Sequence, residues 1–245
     1  MEKFLTFQPT TMSNKSGNWL VASLVVLFLT AGVLTTILLV RFKPAGATNP
    51  HDTYTPQMTR RGMVFLGDSL AQGVGATHSS NTLAAHVYTA VGENQGLWNL
   101  ASAGATIKQV QDDQLPRLKS ITAKRLYLLV GANDVTMGTD SVTFATTYQA
   151  VVATLASEHL PLVLLNIPKL AATPAVPEER KSEADLRTQA FNKEIADVAK
   201  ANGAQLIDVY SFSAEQLTPQ SGFLADDQFH PNDKGYEKLS ALVLR

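Results

Sequence analysis

Five short apolar runs punctuate the chain after its first quarter, at residues 63–66, 97–100, 126–130, 162–165 and 206–209. Each has the length of a strand. They are mostly apolar rather than alternating, with Asn99 and Asp208 as the polar exceptions, as strands covered on both faces require. Stretches with helical spacing lie between them, and this alternation predicts a parallel sheet with helices on both sides. Two of the helices carry punctuation. Ser182 with Asp185 three residues on predicts a capped start, Leu186, Ala190, Phe191, Ile195 and Val198 an apolar stripe, and Gly203 a stop. In the last helix Tyr236, Leu239 and Val243 fall on one face. A proline-rich stretch over 168–181, holding Pro168, Pro174 and Pro177, reads as a long loop at a functional rim or on the surface.

The first quarter follows another pattern. Residues 19–40 contain no charge, and only Ser23, Thr30, Gly32, Thr35 and Thr36 are polar or glycine. As a helix this run spans roughly 33 Å, enough for a hydrocarbon core of about 30 Å. Trp19 stands at one end, and Arg41 with Lys43 at the other, as interfacial anchors do. The expectation is an N-terminal tail (1–18), one transmembrane helix (19–40), a linker (41–61) and a catalytic-size domain (62–245). Ala45-Gly46-Ala47 offers the rival reading of a cleaved signal peptide. Against that reading, the apolar run exceeds an ordinary signal core and Arg41, Lys43 and Pro44 intervene before the site. Lys3 and Lys15 on one side nearly balance Arg41, Lys43, Arg60 and Arg61 on the other, so flanking charge does not orient the segment. Long domains translocate largely regardless of that balance, and a single-pass protein with its domain outside the cytoplasm is expected.

Charge and composition remove several functions. Twenty Lys plus Arg against 21 Asp plus Glu leave a net charge of −1 with no basic run, so no nucleic-acid partner is expected. The chain has no cysteine, which excludes disulfides, thiolate-bound zinc and a thiol nucleophile. Gly73-Val74-Gly75 lacks the third glycine of a dinucleotide loop, and no Gly-Lys-Ser/Thr follows. Neither cofactor nor metal is expected.

Candidate chemistry gathers where predicted strands end. Gly67-Asp68-Ser69-Leu70 follows the first, placing a serine at a sharp strand-to-helix turn; as an isolated triplet, Gly-Asp-Ser is also ordinary turn chemistry. A serine needs a histidine base, itself oriented by a carboxylate. Of the five histidines, His51, His78, His86 and His159 lack a suitably spaced acid. His230 has Asp227 three residues before it, in Asp226-Asp227-Gln228-Phe229-His230-Pro231. The same spacing also fits a helix-entry loop with capping acids. Oxyanion donors are sought on neighbouring strand ends. Gly104 follows the second run, within Asn99-Leu100-Ala101-Ser102-Ala103-Gly104, and Asn133 the third, within Gly131-Ala132-Asn133-Asp134. Either could be a plain turn or helix cap.

Taken together and in order, these four blocks resemble those of the SGNH, or GDSL, hydrolase superfamily, over roughly residues 62–245. The resemblance implies a flavodoxin-like, three-layer α/β/α fold with a five-stranded parallel sheet. It also implies Ser69 as nucleophile and oxyanion donor, Gly104 and Asn133 as further oxyanion donors, His230 as base and Asp227 as its orienter. The activity implied is hydrolysis of carboxylic esters, with a small-molecule, lipid or acylated-saccharide ester as substrate. Two alternatives stay open: an O-acyltransferase or deacetylase working on envelope polysaccharide through the same residues, and a tethered binding module with a vestigial site. Oligomeric state is not legible.

Overall fold

The computed structural model describes residues 62–91 and 96–245. The tail, membrane segment and linker expected over 1–61 lie outside the described residues. Among the described residues, no helix is long and apolar enough to cross a membrane.

Five parallel strands form one sheet in the order β2-β1-β3-β4-β5: β1 Gly62–Gly67, β2 Gly96–Asn99, β3 Ala123–Leu129, β4 Leu162–Leu165 and β5 Gln205–Ile207. The central strands are buried on both faces, which is why their sequences read as unbroken apolar runs. Side chains divide between the faces with a period of two. Val64, Leu66, Leu126, Leu128 and Leu164 face one layer, and Met63, Phe65, Tyr127, Leu129, Val163 and Leu165 the other.

The first layer contains α6 (Ser141–Ala156) and α7 (Glu178–Ala201), whose Phe144 and Phe191 rings stack with centroids 4.0 Å apart. The second contains α2 (Leu83–Val91) and α9 (Asp233–Val243), with Leu83, Val87, Tyr236, Leu239 and Val243 buried against the sheet. The short helices are α1 (Ser69–Gln72), α3 (Ile107–Gln109), α4 (Leu115–Leu118), α5 (Ala132–Met137) and α8 (Val209–Gln216). A π-helical turn, Val110–Gln114, joins α3 to α4. The chain steps from β1 outward to β2, then back across to β3. The carboxyl ends of β1 and β3 therefore flank the point where strand order reverses, the position at which open sheets of this kind hold ligands.

Three expectations shift. Helix α7 starts at Glu178 rather than near Ser182, with Pro177 before it and two glutamates in its first turn, so the irregular stretch after β4 is shorter and includes a 3₁₀ turn, Leu170–Ala172. Its buried face runs through Thr188, Phe191, Ile195 and Val198, while Leu186 is 67% exposed and Ala190 is also outside the core. Leu186 sits two positions from Thr188 and so points away from the stripe. Finally, β5 ends at Ile207, because Asp208 caps α8 by accepting from the Ser211 N–H, and this puts Val209 in a helix.

Candidate active site

The turn carrying Ser69 is built by its neighbours. Gly67 closes β1 at φ +141°, and a side chain there would collide with the Leu129 carbonyl. Asp68 donates its N–H to that carbonyl (3.0 Å), and its Oδ1 accepts from Leu70 N–H (3.0 Å), capping α1. Ser69 is thereby the first residue of α1 at the carboxyl edge of the sheet. Asp68 is 2% exposed; burial pushes its carboxyl up to about 6, against the pull of the Leu70 N–H and the nearby His230.

The other arm precedes α9. Asp227 Oδ1 accepts from the N–H groups of Phe229 and His230, both at 2.9 Å, while Oδ2 lies 2.6 Å from His230 Nδ1. Burial works against the Asp227 charge, but the bonds from His230 and Phe229 outweigh it and lower the carboxyl to about 2. An ionised carboxylate only accepts, so Nδ1 carries the proton, which leaves Nε2 of the neutral ring free to accept. Nε2 lies 2.8 Å from Ser69 Oγ. The arm is fixed by Ala225 N–H donating to the His230 carbonyl (2.8 Å), and by Asn232 Nδ2 donating to the carbonyls of Gly222 (2.9 Å) and Leu224 (3.0 Å). Gly75, at φ +97°, lets it seat: a Cβ there would stand 2.4 Å from the Pro231 carbonyl and 3.0 Å from His230 Cβ.

The remaining candidates lie on the neighbouring strand ends. Asn133 Nδ2 donates to the Ala105 carbonyl at 3.0 Å, so one of its two amide hydrogens ties α5 to the loop carrying Gly104, and the second is left for another acceptor. Gly104 is exposed at φ +82°. That loop is held to α1 as well, by Ala103 N–H on Gln72 Oε1 (2.6 Å) and by Asn99 Nδ2 on the Ala71 carbonyl (2.9 Å). Asp134 is fully buried, its Oδ2 accepting from Ile107 N–H (2.9 Å), and burial raises its pKa. Of the histidines among the described residues, only His230 is bonded to Ser69; His51 lies outside them.

Ser69 and His230 border a narrow cleft of about 30 Å³ running beneath the ends of β3 and β4. Ile167, Pro168, Leu170, Leu217 and Phe229 give it an apolar wall. Its hydroxyls are already engaged, Thr173 with the Leu170 carbonyl and Ser213 with the Tyr210 carbonyl. Among the described residues, no cluster of His, Asp or Glu is arranged to hold a metal ion. A serine hydroxyl on the free nitrogen of an oriented imidazole can be deprotonated as it attacks an electrophilic carbon.

Sequence reasoning does not single out Gln72, Gly75 or Asp233 as parts of this arrangement. Gly75 alone leaves a signal, as one of two glycines after the serine, and that pattern reads first as a fragment of a phosphate loop.

The sequence profile of the GDSL-like lipase/acylhydrolase family matches residues 65–238. No curated protein matches the chain. Among solved structures, the chain is similar to a lipolytic protein of the G-D-S-L family from Veillonella parvula, with 18% identity, 75% of this chain and 96% of that one covered, and a TM-score of 0.60. It is similar to a lipase/acylhydrolase from Enterococcus faecalis, with 23% identity, coverage of 76% and 94%, and a TM-score of 0.58. It is also similar to an acetylxylan esterase from Geobacillus stearothermophilus, with 17% identity, coverage of 76% and 93%, and a TM-score of 0.58. At these identities the likenesses speak for the fold, while the profile spans most of the chain. The chain belongs to the GDSL-like lipase/acylhydrolase family and is a carboxylic-ester hydrolase.

Proposed function

We propose that the enzyme hydrolyses short-acyl carboxylic esters through Ser69, His230 and Asp227. The observation that carries this reading is the unbroken relay from Asp227 Oδ2 to His230 Nδ1 (2.6 Å) and from His230 Nε2 to Ser69 Oγ (2.8 Å). Ser69 Oγ attacks the ester carbonyl carbon while its proton passes to Nε2. The resulting imidazolium is stabilised by Asp227. The oxyanion is received by the Ser69 and Gly104 N–H groups and the unused Asn133 amide hydrogen. Collapse expels the alcohol, which takes the proton from Nε2, and leaves an acyl-Ser69. Water then attacks with His230 again as base, releasing the acid and restoring the serine.

The cleft argues for a small acyl group. It is narrow beside Ser69, and the apolar side chains of Ile167, Pro168, Leu170, Leu217 and Phe229 line the wall that the acyl side of the ester would meet. An acetylxylan esterase among the similar structures accords with an acetylated-saccharide substrate. The tether belongs to the same reading: residues 19–40 form a single-pass anchor and hold the domain outside the cytoplasm, supported by the uncharged run and its flanking Trp19, Arg41 and Lys43.

The test is a p-nitrophenyl ester series from acetate to octanoate, run on the full chain beside a fluorophosphonate label. Hydrolysis favouring acetate, with the label on Ser69, is expected. A chain inert to both is a vestigial module. Retention of the full chain in membranes after carbonate washing tests the anchor.

A further inference from the structure

Gly67, two residues before the nucleophile, presents its N–H and C=O toward the β2 side of the sheet. There β2 has ended: its last paired residue is Asn99 opposite Phe65, and Leu100 N–H reaches the Phe65 carbonyl before the chain turns away. A buried N–H without a partner is destabilising, so something must stand where the strand does not. Gln114 stands there. Its Oε1 accepts from Gly67 N–H and its Nε2 donates to the Gly67 carbonyl, both at 2.8 Å, with the side chain 1% exposed. The two bonds fix which end of the amide is oxygen.

Two further features give this amide a role beyond filling a gap. It is delivered by the π-helical turn Val110–Gln114, an interruption of helical register of the kind that re-aims a side chain. The Gly67 carbonyl also accepts from Ser102 N–H at 3.1 Å, two residues before Gly104. One peptide group thus joins the turn bearing Ser69, the loop bearing Gly104 and the Gln114 amide.

We propose that Gln114 is a positioning residue that holds the Ser69 turn in register with the Gly104 loop, so that nucleophile and oxyanion donors converge on one carbonyl group. The inference rests on the triad reading above. A register error of about an ångström at this junction moves the oxyanion donors relative to the attacking oxygen and weakens transition-state stabilisation more than substrate binding.

Two variants of the full chain test it on p-nitrophenyl acetate. Gln114→Met keeps the volume but neither bond; kcat should fall by about 10- to 100-fold with KM changed by less than about threefold, and fluorophosphonate labelling should slow in parallel. Gln114→Glu is the discriminating variant. Its protonated carboxyl offers the same acceptor and donor as the amide, whereas its ionised form cannot donate to the Gly67 carbonyl. The ratio of Gln114→Glu to wild-type kcat should therefore approach one in acid and fall as pH rises. The ionisable groups around the site, Asp68, Asp134, Asp227 and His230, are common to both proteins, so the ratio removes their contribution.

A Gln114→Met enzyme within about twofold of wild-type kcat, a loss carried by KM, or a Gln114→Glu ratio that does not approach one even in acid would each overturn the proposal. If Gln114→Met does not fold, the Gln114→Glu ratio decides alone. Wild-type chain inert to esters and to the fluorophosphonate refutes the triad reading itself, and this proposal with it. Active wild type with indifferent variants refutes only the role of Gln114.

Discussion

The Asp233 carboxylate accepts both the backbone N–H of Thr77 (2.8 Å) and its hydroxyl (2.6 Å), joining residues 156 positions apart. Thr77 follows Ser69 by eight residues and Asp233 follows His230 by three, so the contact fastens the serine arm to the histidine arm. Asn81 Nδ2 adds a third bond at 2.9 Å. Burial opposes the Asp233 charge, and the bonds from Thr77 and Asn81 outweigh it, leaving the carboxyl below its ordinary value of 3.8.

Asp233→Asn should lower stability by about 1 kcal/mol after allowance for its exposure, and reduce kcat by loosening the Ser69–His230 contact. The sign with pH is definite. A carboxyl with a depressed folded pKa contributes its stability above the unfolded pKa near 3.8 and loses it as pH falls through the lower folded value. Thermal melts of both proteins from about pH 7 down to about pH 3 should therefore converge in acid, and a gap independent of pH would show that the charge is not what stabilises.

The Ser69–His230 pair predicts losses that do not add. Ser69→Ala and His230→Ala should each lower kcat by roughly 10⁴- to 10⁶-fold, with the double variant hardly worse than either. Asp227→Asn should be damaging, since a neutral amide in place of the carboxylate does not hold the ring in its working tautomer, whereas Asp226→Asn at the exposed neighbour should be nearly silent. Steady-state kinetics on a short acyl ester settles the order, and activity surviving His230→Ala would refute the base.

Asn133 donates one amide hydrogen to the Ala105 carbonyl, and the proposed mechanism gives its other hydrogen to the oxyanion. Asn133→Ala should lower kcat by roughly 10²- to 10³-fold, mainly at constant KM. Asn133→Asp keeps the shape but donates neither hydrogen when ionised, and should be at least as damaging. An effect confined to KM would move Asn133 to substrate binding.

What was legible follows from the range of the interactions. Strands β1 and β4, and β3 from Leu126 onward, announced themselves because burial on both faces removes polar residues from them, whereas Lys124 and Arg125 at the exposed start of β3 left its first half unread. The start of α7 did not, because Pro177-Glu178-Glu179 opens it without a side-chain cap while Ser182, a plausible cap by sequence, lies inside the helix. Within the site, Ser69 and the Asp227–His230 spacing are local features of the chain. Gln114 on Gly67, Gln72 on Ala103 and Asp233 on Thr77 connect residues 47, 31 and 156 positions apart. A polar side chain in a helix or loop reads as solvent-facing until the fold supplies the distant backbone it binds.

The pH dependence contributed by Asp68 has the opposite sign to that of Asp233. The folded pKa of Asp68 is raised to about 6 from 3.8, burial outweighing the Leu70 N–H and His230. A raised carboxyl favours the fold fully below pH 3.8, and this contribution is lost as pH rises through about 6. At neutral pH the buried charge therefore opposes folding, by an amount on the order of 1–3 kcal/mol. Asp68→Asn retains an oxygen for Leu70 N–H and carries no charge, so at about pH 7 to 8 it should melt higher than wild type. The advantage should shrink between about pH 6 and pH 4, where the wild-type carboxyl takes up its proton in the folded state. Activity moves the other way if the Asp68 charge helps stabilise the imidazolium: Asp68→Asn should lower kcat while raising Tm, a stability–function trade at the residue beside the nucleophile. Paired melts and kcat measurements at about pH 4, 6 and 8 decide it, and a variant less stable than wild type at the alkaline end would show that the bonds to the carboxylate outweigh its burial.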